Sequence, residues 1–386
     1  MSAANLLGYR RQNGDIGIRN YVAVISAMDN SNPVVRRVVN AVQGTVALTP
    51  GFGRAMLGDD YEQHKNTLIG LGTNPNVYGA IVVSLEINSA LAIAGGIAAS
   101  GRPAEVVSIE DVGGTVRATE VASRYAMKMA LDAGAQAREP MSWSDLVIGL
   151  ECGGSDGSSG LVSNPATGKV ADMVIERGGT AIMSETLEIL GGEHLLAVRA
   201  KDRATGQKLV EAVNFCVTYA SEMGVDVLGS NPTPDNILGG LSTIEEKALG
   251  AIKKGGSSTL MEVVGYGRRP SCKGFVVMDA PCPGIENMTA MASAGCHAIV
   301  FSTGKGNTSG NPVAPTIKVS GNPYTVVNLA DNIDVDLSAV IAGEMSLDGA
   351  AKILEARLAD VCNGSMTRAE VLGEVEIAIS RIGRCL

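Results

Sequence analysis

Short uninterrupted apolar runs alternate along this chain with stretches of helical spacing. Tyr21-Val-Ala-Val-Ile-Ser26 precedes a predicted helix near 33–43, Gly79-Ala-Ile-Val-Val-Ser-Leu85 precedes one near 88–99, and Val106-Val-Ser-Ile109 precedes a longer one near 116–134. Arg138-Glu-Pro-Met-Ser142 then breaks the periodicity and is the candidate boundary between two units. Beyond it Asp145-Leu-Val-Ile148, Thr180-Ala-Ile-Met183, Gly274-Phe-Val-Val-Met-Asp279 and Ala298-Ile-Val-Phe301 read as strands, with helices near 203–222, 241–254, 285–294 and 346–361. Strands that are apolar at nearly every residue are covered on both faces, and helical crossovers between them imply parallel sheets. The pattern therefore predicts an α/β protein of two doubly wound, Rossmann-like domains, 1–140 and 141–386, with an active-site crevice between or beside them.

Composition narrows the class. Of 386 residues 45% are hydrophobic but only 3% aromatic, so the core is aliphatic. A net charge of −9, with both signs dispersed along the chain, argues against nucleic acid or an anionic membrane as the main partner. The start lacks the pattern of a signal peptide, and no apolar stretch is long enough to span a bilayer, so a cytoplasmic location is expected. Seven cysteines without a CxxC pair argue against a disulfide framework or structural zinc and for free thiols, one of them a possible metal ligand.

The chemistry gathers where strands end. Gly149-Leu-Glu-Cys-Gly-Gly-Ser-Asp-Gly-Ser-Ser-Gly160 follows an apolar run and places a thiol, a carboxylate, hydroxyls and glycines where an α/β sheet delivers its residues to a ligand crevice. In Ser184-Glu-Thr-Leu-Glu-Ile-Leu-Gly-Gly-Glu-His-Leu-Leu196, Glu185 and Glu188 share one helical face, and the Gly191-Gly192 break can turn His194 toward them. Cys152, Glu188 and His194 would make a mixed S/O/N set suited to Fe2+ or another transition ion acting as a Lewis acid. A solvated helix start is the alternative for the acids, and a core histidine for His194. His64 and His297 read as core histidines. Thr303-Gly-Lys-Gly-Asn307 lacks the spacing of a phosphate loop and no GxGxxG opens a helix, so no nucleotide is expected.

These motifs resemble the altronate/galactarate dehydratase family. The likeness lies in the Gly149–Gly160 run, Asn164-Pro, Gly178-Gly-Thr-Ala-Ile-Met-Ser-Glu-Thr-Leu-Glu-Ile, Gly192-Glu-His-Leu-Leu, Gly14-Asp-Ile-Gly-Ile-Arg-Asn20, Asn231-Pro-Thr-Pro-Asp-Asn236 and Phe301-Ser-Thr-Gly-Lys-Gly-Asn307, and it covers nearly the whole chain. The run Gly310 to Pro323 and the tail from Asn363 look most like the large-subunit branch that eliminates bisulfite from sulfolactate. The resemblance implies β-elimination from a small anionic 2-hydroxy acid to give a 2-oxo acid. It also implies a divalent metal, typically iron.

Carried over residue by residue, the matching positions are Arg19, Asn20, Cys152, Ser155, Asp156, Glu185, Glu188, Glu193, His194, Asp279 and Lys305; to these we assign Cys152, Glu185, Glu188 and His194 as metal ligands and His194, Glu193, Lys305, Asp156 and Asp279 as catalytic groups. Arg19, Asn20 and Ser155, with Arg54 and Arg199 added for their charge, are assigned to substrate binding. A base such as His194 or Lys305 would take the α-proton. Where the sugar-acid dehydratases carry a loop bearing His and Cys, this chain reads Thr49-Pro-Gly-Phe-Gly-Arg-Ala-Met56, which removes candidate ligands and offers Arg54 to a sulfonate. The chain begins almost directly at Gly8-Tyr-Arg-Arg11, so a small alpha-type partner subunit of about one hundred residues is expected, in an oligomer. A metal-dependent dehydratase of altronate, galactarate or a similar sugar acid, and a non-catalytic sugar-acid binding protein, are the alternative readings.

Overall fold

The computed structural model describes residues 5–227 and 231–383. A four-stranded sheet is built from β3 (Tyr21–Ser26), β4 (Thr45–Leu48), β5 (Val77–Ser84) and β6 (Ala104–Ser108), ordered β4-β3-β5-β6 and parallel throughout. Ahead of it β1 (Leu6–Arg10) pairs antiparallel with both β2 (Ile16–Gly17) and β7 (Glu139–Met141). The segment expected to be a boundary, Arg138 to Ser142, therefore carries a strand that ties the end of the first half to its beginning.

The larger sheet has seven parallel strands: β8 (Val147–Gly153), β9 (Thr180–Met183), β10 (Leu260–Val264), β11 (Gly274–Met278), β12 (Ala298–Thr303), β13 (Thr316–Ser320) and β14 (Val335–Asp336). Their order is β10-β11-β9-β8-β12-β13-β14. Both faces are covered, which is why β8, β9, β11 and β12 read as apolar runs. Ile148, Leu150, Met183 and Val300 pack into one interior, while Ile182, Val276, Ile299 and Phe301 pack into another.

That second interior also contains Ile25, Leu48, Val82 and Ile97 of the first sheet and its helices, so the two halves share one apolar mass. Helices Gly58–Gly72 and Gly284–Ser293 meet there so closely that a methyl on Gly70 would lie 2.1 Å from Ser293 Oγ. Asn76 adds a polar tie. Its amide nitrogen donates to the carbonyls of His297 and Val313, and its oxygen accepts from Ile18 N–H.

The helix expected near 203–222 spans Arg203–Glu222, and those expected near 33–43, 88–99, 116–134, 285–294 and 346–361 are found within two residues of their predicted ends. Asp145 is a correction: it closes a short turn, Trp143–Asp145, and the strand instead runs on through Glu151 and Cys152 to Gly153. No helix among the described residues is long and apolar enough to cross a membrane. Six cysteines are free thiols, and Cys385 lies outside the described residues.

Candidate active site

The carboxyl ends of β8 and β9 lie side by side, and each delivers one reactive segment. Alternation along β8 turns Cys152 to one face and Glu151 to the other, and both are buried. β9 runs into Ser184 and Glu185. Glu185 takes a left-handed conformation, φ 71°, at a cost of about 1–3 kcal/mol for a residue with a side chain. The short turn Thr186–Ile189 follows and brings Glu188 back beside its neighbour.

The Cys152 thiol donates to Glu188 Oε2 at 2.6 Å and lies 3.8 Å from Glu185 Oε1. One ligand atom from each of Cys152, Glu185 and Glu188 falls within 4.8 Å of the other two, a set that could hold a divalent metal. Between them sits Lys254, fully buried. Its ammonium lies 3.0 Å from the Cys152 sulfur and 3.7 Å from Glu188 Oε2, and it forms a short ion pair with Glu185. Sulfur, carboxylate and ammonium are thus gathered where water is excluded, so each charge needs its partners.

Protonation follows from that crowding. Burial, then the charge of Glu188, lifts Glu185 to about 7 against the pull of Lys254. Burial pushes Glu188 the same way, but Lys254 and Lys247 outweigh it and hold Glu188 below the usual carboxylate range. The Cys152 thiol is pushed well up by burial and the two acids. Lys254 is held protonated by the sulfur and acids around it, although burial opposes this.

A clamp holds Lys254 in place. It stands in the turn Lys253–Gly255, after the helix Ile244–Ile252. Arg199 donates to the carbonyls of Gly255, Gly256 and Ser258 at 2.7–3.1 Å and lies over the Phe275 ring. From the other side the Asp172 carboxylate accepts from the backbone N–H and hydroxyl of both Ser257 and Ser258. Arg199 therefore binds the turn that carries Lys254 through three backbone carbonyls.

The glycine loop is clamped as well. Gly154 has φ 63°, open to glycine at little cost. Buried Asp156 accepts from Ser158 Oγ, Ser159 N–H and Asn322 Nδ2. It presses on Gly304 so closely that a methyl there would come within 2.1 Å of its carboxylate. Asp156 thus fastens the loop to the turn after β12. A cavity of about 270 Å3 adjoins the loop, lined among others by Ser155, Asp156, Asn164, Leu241 and Lys247. Lys247 links it to the cluster, with its ammonium 3.4 Å from Glu188 Oε1 and donating to Asn231.

The remaining expected residues are dispersed. His194 is exposed on the short helix Glu193–Ala197 and is not in the metal-capable set, whose third member is Glu185; the Gly191-Gly192 break turns the helix outward. Glu193 accepts from Gly191 N–H and so steadies that break. Arg19 is also a correction: it is buried, paired with Glu370, and its guanidinium donates to the carbonyls of Ile18, Val361 and Ser365. Asn20 bonds Arg11, Ala133 and Gln136, far from any ligand role.

Arg54 is exposed on its loop. Lys305 is exposed and bonds the Asp235 carbonyl, Ser155 has its hydroxyl 3.9 Å from the Cys152 sulfur, and Asp279 accepts from Thr186. Lys254 and Asp172 escaped the sequence reading, while Glu151 and Lys247 stood in its motifs without an assigned role. The Gly255-Gly256 pair after a helix was the available signal for the Lys254 turn.

Comparison with known proteins agrees with the motifs. The family model for the D-galactarate/altronate dehydratase C-terminal region matches residues 143–385, and that for the second domain of D-galactarate dehydratase/altronate hydrolase matches 8–134. The (2R)-sulfolactate sulfo-lyase subunit beta of Chromohalobacter salexigens is 38% identical over 99% of this chain and 98% of its own length. The altronate dehydratase of Escherichia coli is 31% identical over 97% of this chain and 77% of its own length. The galactarate dehydratase (L-threo-forming) of the same organism is 32% identical over 64% of this chain and 46% of its own. With both family regions present in order and a relative of this identity along its full length, the chain belongs to the galactarate/altronate dehydratase family and is an enzyme of the lyase class.

Proposed function

We propose that this chain is the large subunit of a lyase that eliminates bisulfite from sulfolactate to give pyruvate. The observation that carries the reading is the buried Lys254 ammonium enclosed by Cys152, Glu185 and Glu188 at the ends of two parallel strands, beside a cavity walled by Lys247 and Ser155. The likeness to a sulfo-lyase beta subunit supports it.

Removing a proton next to a carboxylate builds charge on a group already anionic, so a fixed cation is needed there in advance. Lys254 and Lys247 supply fixed positive charge, and Lys247 reaches the cavity wall. With no ion bound, Glu185, lifted to about 7, is poised to take and return a proton near neutral pH. Ser155 lines the cavity and offers a hydroxyl to substrate oxygen. Cys152, Glu185 and Glu188 are the residues that would hold a divalent metal, which we take to be Fe2+ from their mixed soft and hard donors. Such an ion supplies Lewis acidity toward a substrate oxygen.

We further assign domains 1–140 and 141–386, both doubly wound, a cytoplasmic setting, and a small alpha-type partner, the last supported by the subunit name of the relative. A sugar-acid dehydratase is the second reading, favoured by the altronate and galactarate dehydratases among the relatives. Sulfite and pyruvate release from sulfolactate, measured against 2-oxo acid formation from altronate and galactarate, with and without a co-expressed small subunit, tests the choice. Turnover of the sugar acids alone would establish the second reading.

A further inference from the structure

The cavity beside the glycine loop is lined by two lysines in different states. Lys247 has its ammonium 3.4 Å from Glu188 Oε1 and donates to Asn231 at 2.9 Å, so its charge is shared with the cluster. Lys253 lines the same cavity of about 270 Å3 and is exposed. Among the described residues its ammonium has neither an ion pair nor a hydrogen bond. The turn Lys253–Gly255 thus buries Lys254 in the cluster and leaves the preceding lysine uncommitted at the cavity.

Little else in the lining is free to meet a ligand. Gly160, Gly250, Ala251, Leu161, Leu241 and Leu249 carry no hydrogen-bonding side chain. Asp156 is taken up by Ser158, Ser159 and Asn322, and the Ser159 hydroxyl closes back on the Asp156 backbone. Asn164 donates to the Gly250 carbonyl, and Glu246 accepts from the N–H and hydroxyl of Ser242. What remains is Ser155, near the Cys152 sulfur, and the two lysines, set in a largely aliphatic wall.

Such a lining selects by charge and not by hydroxyl count. A sugar acid would bring hydroxyls that find no partner there, which is costly. A short chain with one hydroxyl and an anionic group at each end meets an ammonium at both. We propose that Lys253 binds the sulfonate of a sulfonated 2-hydroxy acid, with Lys247 and Ser155 on the 2-hydroxy-carboxylate end, so that Lys253 selects a sulfonate over a neutral hydroxylated tail. The elimination also builds charge at the group Lys253 holds. The C2 proton goes to the base, the electrons of that C–H bond form the C2–C3 double bond, and the C3–S pair leaves with the sulfur. A singly charged sulfonate therefore departs as doubly charged sulfite, which a cation fixed beside it favours more than the bound substrate. The proposal rests on the reading of the chain as a sulfolactate lyase, yet binding alone tests it.

The experiment measures dissociation constants of the full chain for 3-sulfopropanoate and for propanoate, which lacks only the sulfonate, by ligand-observed NMR. Both lack the 2-hydroxyl and cannot yield a 2-oxo acid. The wild type is expected to favour 3-sulfopropanoate by about tenfold, one charge-assisted hydrogen bond. In Lys253→Met the ratio should fall to about twofold or less, the residue of unspecific surface charge, while Lys253→Arg keeps it. The melting temperature should not move, because Lys253 is exposed. Lys247→Met should weaken both acids alike and leave the ratio as it is. A preference that survives Lys253→Met, a ratio lost in Lys247→Met instead, equal affinity of the wild type for the two acids, or no binding of either would overturn the assignment. A preference that depends on Lys253, in a chain that releases no sulfite from sulfolactate, would leave the subsite standing and sink the lyase reading instead.

Discussion

The Lys254 ammonium donates to the Cys152 sulfur across 3.0 Å, although the two residues are 102 positions apart in the chain. The same ammonium pairs with Glu185, so one buried side chain holds together the segments that leave β8 and β9.

Lys254→Met removes that charge and little volume. Turnover should fall by about 10²-fold or more, as when a preorganised charge is withdrawn from a transition state. Stability should fall by about 3–5 kcal/mol because two buried carboxylates lose their partner. Steady-state kinetics and chemical unfolding check both, and near-normal turnover would remove Lys254 from the reaction.

Glu185 sets a pH limb. Its folded value of about 7 lies above the ordinary 4.5, so between those values the unfolded chain holds fewer protons, and folding stability declines as pH rises through that window. If its carboxylate form takes the proton, kcat/KM should climb with pH and level off above about 7. Glu185→Gln should flatten both profiles, and an unaltered rate limb in that variant would point to another base.

Arg199 acts through Lys254. Arg199→Lys and Asp172→Asn should each lower kcat by about tenfold, from a small displacement of the ammonium, and leave KM nearly unchanged. A rise in KM at constant kcat would instead make Arg199 a substrate contact.

Metal loading can be read without turnover. Titration with Co2+ should give a thiolate-to-metal absorption band that Cys152→Ser abolishes and Glu188→Gln weakens, with Glu185 completing the set. A band retained in Cys152→Ser would place the ion elsewhere.

Arg19→Ala should behave as a structural lesion. Its partner Glu370 is left buried and unpaired, at a cost of about 3–5 kcal/mol, while the activity of the folded fraction stays as it was. A KM effect without destabilisation would restore Arg19 to the substrate.

The legible parts of the chain were those where neighbours in sequence settle the outcome. β9 and the helix Arg203–Glu222 follow from unbroken apolar runs and helical spacing. β10 and β13 escaped because Glu262 and Lys318 interrupt them; Lys318 is nonetheless buried, its ammonium met by the Thr308 carbonyl and by Glu374. The thiol and its two acids could be placed because they stand at or just past the carboxyl ends of β8 and β9. Lys254 could not, since a lysine in a Lys-Lys-Gly-Gly turn reads as solvated and only long-range partners bury it. Arg19 misled for the same reason: its carboxylate lies 351 positions away, beyond anything a motif reveals.

The close meeting of Gly70 with Ser293 bears on how a substrate can enter. The helix whose first turn faces Glu151 is wedged at its far end against the first half, inside an apolar mass that both halves contribute to. Swinging one sheet away from the other would tear that mass open and expose aliphatic surface to water on both sides. The seam near residue 140 is therefore not expected to act as a hinge, and access to the site should depend on local movement at the cavity wall beside Lys247.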